Sequence, residues 1–393
     1  MFADKYLQKN GHQILINKLP EQKPGLIVVI PCFREPDLVA TLESLNKCDL
    51  PEVAVEVIVL INHSEKAEEA TIRENEQTKT DADAWIAKNK KEGIHFFVVG
   101  PVQLKRKWAG AGLARKRGMD EAIRRFNLND SKDGILVSLD ADTLVAKNYL
   151  VAIEKHFRDF PKHVGATVAF EHQKQQLSGK HLEGIELYEL YLNYYKRALH
   201  YSGYPYSMFT IGSAFAVTAE AYVKRGGMNR RQAGEDFYFL QNLVQLGTVG
   251  EITTTKVHPS ARLSNRVPFG TGPILQKWMK GEEDLQLTYN FKAFKDLEQF
   301  FAKKDQLFKT QPNEYSEFVN TLNEPIKQFL LLDNFSVDLD DLNNNCSRLE
   351  SFRLRFFQKF NAFRILKFLN FAHENYYQKA DLRKQVELLD QEQ

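Results

Sequence analysis

The stretch ILVSLDADT at residues 135–143 is the clearest indication of the fold. Its opening run, ILVSL, is apolar except for one serine, which is typical of a strand covered on both faces of a sheet. Asp140 and Asp142 follow directly, and side chains two positions apart at a strand end point the same way. Two carboxylates held together repel each other unless a cation lies beside them. The pattern therefore favours a divalent metal site over a simple turn after a strand.

Similar apolar runs occur on both sides of this stretch. They are residues 26–30 (LIVVI), 55–61 (VEVIVLI), 94–99 (IHFFVV) and 164–170 (VGATVAF). More polar segments with apolar residues near helical spacing, such as 37–46 and 112–125, separate the runs. The alternation predicts an α/β fold in which a mostly parallel, Rossmann-like sheet is flanked by helices. In such sheets, ligands bind beyond the carboxyl ends of the strands.

The second half of the chain shifts from strands to helices. The pattern predicts helices at 178–200 and 235–246, a glycine-bearing apolar run at 210–218, a strand at 249–257 and a polar loop at 258–272. From residue 273 the strand pattern disappears, and Phe, Leu, Lys and Asn recur at helical spacing. We therefore predict an α/β domain at 1–272 and a helical C-terminal region at 273–393.

Composition narrows the class of protein. Lys and Arg number 53 against 51 Asp and Glu, so the net charge of +2 offers no field for gathering nucleic acid, and no nucleic-acid partner is expected. With 43% hydrophobic and 26% charged residues, the chain is expected to fold. Three scattered cysteines favour a reducing compartment. No signal peptide or long apolar run is apparent, so a cytoplasmic, soluble protein is expected.

Polar residues follow the first two predicted strands. Pro31, Phe33 and Glu35 lie in the segment PCFREP after the first strand, where the alternative to a functional role is a turn with a solvated Arg–Glu pair. Asn62 ends the second strand, in a segment of short polar residues that also suits a turn.

A glycine-rich, basic segment precedes the strand that leads to Asp140. Gly110 and Gly112 lead into a helix that carries Arg115, and free N–H groups at such a helix start suit an anion. The alternative is a solvated, basic first turn of the helix.

Acidic and basic residues recur further along the chain. Glu235 and Asp236 open a predicted helix after Gly234, a position that acids also favour as simple caps. His258 follows the last predicted strand, and Arg262 and Arg266 lie in the loop beyond it. A lone histidine is more often structural than a ligand, but arginines in a loop suit a diphosphate.

Taken in order, these motifs resemble the family 2 inverting glycosyltransferases of the GT-A fold, over residues 25–270. Pro31, Phe33 and Glu35 are similar to the family's Pro-x-x-Asn-Glu opening beside the nucleoside, with Arg34 where Asn is usual. Asn62 stands where an Asp usually contacts the base. Arg115 matches the arginine of the family's Ala-Arg-Asn, which lies near the nucleotide.

The resemblance also implies roles for the acidic residues. Asp140 and Asp142 match the Asp-x-Asp motif, whose first acid meets the ribose or the metal and whose second binds the metal. Glu235 and Asp236 match the Glu-Asp pair, whose second acid is the catalytic base. His258 resembles a third metal ligand of some GT-A enzymes.

The implied reaction is an inverting transfer of a sugar from a nucleotide-diphosphate donor to a hydroxyl acceptor. The resemblance implies Mn²⁺ or Mg²⁺, a UDP- or GDP-sugar donor, and an acceptor that is a glycan, a lipid-linked molecule or a small molecule. Arg262 and Arg266 resemble a mobile loop that binds the diphosphate. The resemblance further implies a nucleotide-sugar transferase domain at 1–272 and a role in polysaccharide biosynthesis.

Two other functions stay open. A nucleotidyltransferase also needs an acid pair and a metal, but it is expected to carry a glycine-rich basic loop directly after the first strand, and residues 31–36 (PCFREP) do not supply one. A catalytically silent scaffold that binds nucleotide or glycan is the second, and the joint presence of Asp140, Asp142 and Asp236 argues against it.

Aromatic residues form two further patterns. Seven tyrosines at residues 188–209 favour packing on the sheet over an acceptor site. Phe352, Phe356, Phe360 and Phe363 are spaced to share one helical face, which favours packing on the catalytic domain or in a dimer. Basic residues among them leave peripheral membrane contact, at the inner face of a membrane, as the alternative: Arg353, Arg355, Lys359, Arg364 and Lys367.

Overall fold

The computed structural model describes residues 1–231, 234–264 and 270–392. The chain divides into two compact units. The first comprises Met1–Leu177 and Thr210–Gln276, and the second Ser178–Phe209 and Lys277–Gln393. This division differs from the predicted break after residue 272 in two ways: the segment 178–209 groups with the C-terminal helices, and the first unit extends to Gln276.

The strands, in chain order, have the following bounds: β1 Pro24–Cys32, β2 Ala54–Ser64, β3 Ile94–Leu104, β4 Ile135–Ser138, β5 Leu144–Val145, β6 Gly165–Phe170, β7 Phe215–Thr218, β8 Val249–His258, β9 Leu287–Thr288 and β10 Ala380–Asp381.

The helices are α1 Asp4–Asn10, α2 Leu38–Asn46, α3 Glu69–Lys88, α4 Ala111–Leu128, α5 Tyr149–Asp159, α6 Gly179–Tyr201, α7 Ala219–Lys224, α8 Glu235–Leu243, α9 Thr271–Lys280, α10 Phe291–Ala302, α11 Pro312–Asn320, α12 Glu324–Leu332, α13 Phe335–Asn345, α14 Leu349–Lys359, α15 Ala362–Asn375 and α16 Leu382–Asp390. Short 3₁₀ helices occur at Arg106–Trp108 and Lys304–Leu307.

One sheet organises the first unit. Within the described residues it has eight strands in the order β3-β2-β1-β4-β7-β6-β8-β5. Parallel pairing joins β3, β2, β1 and β4 and also joins β6 to β8, whereas β7 runs antiparallel to both of its neighbours. The carboxyl ends of β1, β2, β4, β6 and β8 therefore lie at one edge of the sheet, together with the start of β7. The predicted fold class is confirmed.

Burial explains why these segments are strands. All positions of β1 from Leu26 to Cys32 are buried, as expected for a strand covered on both faces. Helix α4 packs closely on β1, since a Cβ at Gly118 would lie 2.5 Å from Val29 Cγ1. The sequence pattern gave no sign of β5, because two residues are too short for a periodic signal.

The core of the second unit is built from phenylalanines. Phe300 lies at its centre, with ring centroids 5.7 Å from Phe356, 5.9 Å from Phe335 and 5.1 Å from Phe360. The prediction that four phenylalanines share one helix is wrong, because α14 ends at Lys359 and Asn361 caps the start of α15. The predicted strand-free C-terminal region also contains a small antiparallel ribbon of β9 and β10, which is too short to leave a pattern.

The aromatic and basic residues of this unit have local partners. Phe352, Phe356 and Phe360 are buried, so they present no apolar face to solvent. Arg353 pairs with Asp305, while Arg364 pairs with Asp333 and Asp338. Across the described ranges, the chain has no helix that is both long and apolar enough to cross a membrane.

The tyrosine-rich helix α6 packs within the second unit. Tyr194 is buried and donates a hydrogen bond to the carbonyl of Tyr289, and its ring meets Phe294 edge-on. Tyr204, just beyond α6, is buried against Phe357. Packing therefore accounts for these two tyrosines, although the partners shown belong to the second unit and the sequence predicted packing on the sheet.

Candidate active site

The buried guanidinium of Arg115 is the centre of a polar network at the sheet edge. Its Nη2 donates to Asp140 Oδ1 at 2.8 Å, and its Nε donates to Glu235 Oε1 at 3.2 Å. Its Nη1 contacts Ser138 Oγ at 2.5 Å and the carbonyl of Gly212 at 3.2 Å. One side chain on α4 thus joins the ends of β4, β7 and α8.

Charge stabilises this arrangement. Burial alone lowers the pKa of Arg115, but the nearby charges of Asp140 and Glu235 more than offset burial and raise it. The guanidinium therefore stays charged. Glu235 is itself buried, so its carboxylate depends on Arg115 for compensation.

Asp236 lies at the start of α8, next to this network. The preceding residue, Gly234, has a left-handed backbone (φ 70°), which turns the chain into the helix. Asp236 Oδ1 accepts a hydrogen bond from the Phe237 N–H at 2.7 Å. A Cβ at Gly212 would meet both Arg115 Nη2, at 2.8 Å, and Asp236 Oδ2, at 3.3 Å, so the two side chains converge on this glycine.

The pKa of Asp236 is raised to about 7. Burial is the main cause, the charge of Glu235 adds to it, and Arg115 opposes it. A carboxylate that titrates near neutral pH suits a general base.

Gly112 sets the distance between α4 and the segment that leads to Asp236. A Cβ there would lie 2.1 Å from the carbonyl oxygen of Arg231 and 3.1 Å from Glu235 Cβ. A backbone carbonyl cannot swing away as a flexible side chain does.

We expect Gly112→Ala to destabilise the fold by about 1–3 kcal/mol, because the added methyl group overpacks this contact. Chemical denaturation measures the change. If Gly112→Ala has the stability and the rate of donor turnover of the wild type, the contact between residue 112 and the Arg231 carbonyl is not tight.

A second charged cluster lies at the same edge. Arg262 reaches Glu35, Asp37 and Asp142: its Nη1 donates to Asp37 Oδ2 at 3.0 Å, and its Nη2 contacts Glu35 Oε2 and, at 3.3 Å, Asp142 Oδ2. Glu35 is buried, whereas the Asp142 side chain is 26% exposed. The loop after β8 thus brings a cation to the acids that follow β1 and β4.

His258 and Asp142 are held by neighbouring backbone. Leu144 of β5 pairs with His258 of β8, and Gln173 Nε2 donates to both the Asp142 and the His258 carbonyls, at 3.0 and 2.8 Å. His258 Nδ1 lies 3.0 Å from the Glu171 carbonyl. If Nδ1 carries the proton of this bond, Nε2 is left as a lone-pair donor for a metal.

The donor set fits a divalent ion that brings most of its own ligands. Over the described residues, no group of three or more His, Cys, Asp or Glu side chains is placed to hold a metal. Asp140 is paired with Arg115 and Asp142 with Arg262, and the two side chains are 38% and 26% exposed, so a metal ion at Asp142 would take the place of its contact with Arg262. Mg²⁺ and similar hard ions are commonly bound by one or two carboxylates plus water and phosphate oxygens.

The other predicted residues are placed as follows. Pro31 is buried in β1, and Phe33 is half-buried beyond it. Asn62 is buried, and its amide donates to the Cys32 carbonyl at 2.9 Å, so it ties β2 to β1. Its role in contacting the base stays a prediction. Arg266 lies outside the described residues.

Sequence patterns missed several members of the site. Gly212 had a signal, a glycine inside an apolar run, but its contact with Arg115 depends on the antiparallel direction of β7. Gln173 and Asp37 had no distinctive signal, because each acts through a partner far away in the sequence.

Comparisons with known proteins give a likeness of structure only. No protein-family model matches the sequence, and no curated protein sequence matches it. Staphylococcus aureus TarS, residues 1–349 in complex with UDP-GlcNAc, aligns at 10% identity with a TM-score of 0.42, over 85% of this chain and 91% of that one. The mannosyltransferase PcManGT from Pyrobaculum calidifontis, in complex with GDP-Man and Mn²⁺, aligns at 13% identity and a TM-score of 0.39, over 88% and 93%. We infer function from the residues of the site itself.

Proposed function

We propose that this chain is an inverting glycosyltransferase of family 2 that moves a sugar from a nucleotide-diphosphate donor to a hydroxyl acceptor. The observation that carries the proposal is Asp236, a half-buried carboxylate with a pKa near 7 beside the Arg115 network. In an inverting transfer, one base removes the acceptor proton as the hydroxyl attacks the anomeric carbon from the face opposite the leaving group.

The roles of the two acids of the Glu-Asp pair differ. Glu235 is buried and bonded to Arg115, so it positions the guanidinium and the start of α8. Asp236 has an exposed fraction and faces Gly212, so it is the acid that an acceptor hydroxyl can reach. We therefore assign the base to Asp236 alone.

The donor end of the site is assigned to the acids after β4. Asp142 would hold Mn²⁺ or Mg²⁺, with His258 as a further ligand, and Asp140 would meet the ribose. When bound, the ion supplies positive charge to the departing diphosphate. Arg262 lies on Asp142 and is half-buried among three acids, so it is placed to move between them and a diphosphate oxygen.

Binding of the donor is expected to depend on the metal. We expect one of a panel of UDP-, GDP- and dTDP-sugars to raise the melting temperature of the full chain when Mn²⁺ is present and much less without it. A ligand at 100 times its Kd stabilises a fold by about 2.7 kcal/mol. Thermal unfolding measures the shift.

Asp142→Asn should abolish the metal-dependent part of this shift. Asp133→Asn, which removes the same charge from an exposed position at the other end of β4, is the control and should keep it. A folded protein that responds to no donor would contradict the proposal.

A further inference from the structure

Three arginines, one on α4 and two in the segment before α8, have no acidic partners among the described residues. Arg117 belongs to α4, and Arg230 and Arg231 lie five or six residues before Asp236 in the sequence. Throughout the described ranges, no carboxylate forms an ion pair with any of the three side chains. We call Arg117, Arg230 and Arg231 the arginine cluster.

The lack of partners is unusual for this part of the protein. The other cations of α4 are all paired: Arg115 with Asp140 and Glu235, Lys116 with Asp120, Arg124 with Glu121, and Arg125 with Glu56. Arg117 is half-buried, and its pKa is lowered first by burial and then by the charge of Arg230. The positive charges of Arg117 and Arg230 thus repel each other at a half-buried position, and a bound anion would reduce this repulsion.

Aromatic rings hold two of these guanidinium groups at the surface. Arg230 Cζ lies 5.7 Å from the centre of the half-buried Trp108 ring, and Lys107 Nζ lies 5.5 Å from the same ring. Arg231 Cζ lies 3.5 Å from the centre of the Tyr238 ring. Arg231 thus lies at stacking distance from its ring, whereas Arg230 makes a longer cation–π contact. Either contact leaves the edge N–H groups of a guanidinium available to an oxyanion.

The backbone that carries Arg230 and Arg231 is tied to the start of α8, where the proposed base lies. Asn229 Nδ2 donates to the Glu235 carbonyl, and Asn229 Oδ1 accepts from the Arg231 N–H, both at 3.0 Å. The Arg231 carbonyl packs on Gly112 at the start of α4. The segment that carries Arg230 and Arg231 is therefore tied to the same helix start as Asp236.

We propose that the arginine cluster binds a phosphate group of the acceptor, so that the enzyme glycosylates a hydroxyl on a phosphate-bearing molecule. Guanidinium groups match phosphate oxygens with two parallel hydrogen bonds, and several of them together suit a group with multiple charged oxygens. The identification of the ligand as the acceptor rests on the proposed transferase function, whereas the anion site itself does not depend on it.

The test is calorimetric binding of glycerol 3-phosphate, with glycerol as the neutral matched probe. UDP, or GDP or dTDP if one of those is the nucleotide that binds, is the probe for the donor site in the presence of Mn²⁺. We expect the full-length protein to bind glycerol 3-phosphate but not glycerol, and more weakly as salt increases. The double variant Arg117→Gln/Arg230→Gln should weaken this binding by about tenfold or more. It should leave the affinity for UDP unchanged.

The control removes two positive charges from the neighbouring segment by Lys224→Gln/Arg225→Gln and should bind both probes as the wild type does. If the double variant loses UDP instead, the arginines serve the donor diphosphate and the proposal is overturned. If glycerol 3-phosphate does not bind, or binds equally to the variant, the cluster is a solvated face and the proposal is also overturned. Binding of glycerol 3-phosphate without any binding of UDP, GDP or dTDP in the presence of Mn²⁺ would support the anion site and contradict the transferase.

Discussion

Replacing Asp236 by asparagine is expected to lower kcat for sugar transfer by about 10²–10⁴-fold, because a positioned general base contributes a factor of that size. The amide keeps the shape of the side chain but cannot accept the proton of an acceptor hydroxyl. The rate of nucleoside diphosphate release from the donor measures the effect. Asp133→Asn, which changes an exposed acid remote from the site, should retain the wild-type rate.

The pH dependence gives this prediction a second readout. The pKa of Asp236 is raised to about 7, so the wild-type rate should fall about tenfold for each pH unit below 7, and the residual rate of Asp236→Asn should lack this limb. Between about pH 4 and 7 the folded protein holds a proton that the unfolded chain releases, so this residue makes stability fall as pH rises. Above pH 7 the asparagine variant should therefore be at least as stable as the wild type. If Asp236→Asn is less stable than the wild type at pH 8, its loss of activity is due to unfolding and not to the missing base.

Replacing Arg115 by methionine is expected to destabilise the fold by about 3–5 kcal/mol, since it leaves the buried Glu235 carboxylate uncompensated. The same change frees Asp140 and removes the hydrogen bonds to Ser138 and Gly212, so donor binding should be lost as well. Urea denaturation measures the first effect. Arg115→Lys should not restore stability or donor binding, because an ammonium group cannot form the four hydrogen bonds that the planar guanidinium donates.

Two further variants test the cause of this loss. Arg73→Met removes an arginine whose ion pair with Glu69 is exposed, and it should change stability by less than about 1 kcal/mol. Arg115→Met/Glu235→Gln should recover part of the lost stability without recovering activity, because the second change removes the uncompensated charge. If the single and double variants are equally destabilised, the uncompensated charge of Glu235 is not the cause of the lost stability.

Much of the fold could be predicted because its signals are local. The continuous apolar runs of β1 and β2 identify buried parallel strands, and once those strands are placed, the acids after β4 must lie near the segment after β1. Asp140 and Asp142 were singled out in this way, whereas Asp236 was singled out only by the resemblance, because an acid at a helix start is also a simple cap. The bond from Arg115 to Glu235, 120 residues apart, could not be, since no periodicity records it.

What the sequence left out depends on strand direction and on side-chain orientation. Gly212 reaches the site only because β7 runs antiparallel to β4. Asn62 was placed correctly at the end of β2, but its amide turns inward to the Cys32 carbonyl. The cluster of Arg262 with Glu35, Asp37 and Asp142 joins three loops, and short loops carry no periodic pattern.

The most direct test of the account is the release of nucleoside diphosphate from UDP-, GDP- and dTDP-sugars in the presence of Mn²⁺, with water as the acceptor, by the wild type and by Asp236→Asn. We predict that the wild type releases nucleoside diphosphate from one donor and that the variant does so at least about 100-fold more slowly. A folded wild-type protein that turns over none of the donors, or an asparagine variant as fast as the wild type, would contradict the assignment of Asp236 as the base of a nucleotide-sugar transferase.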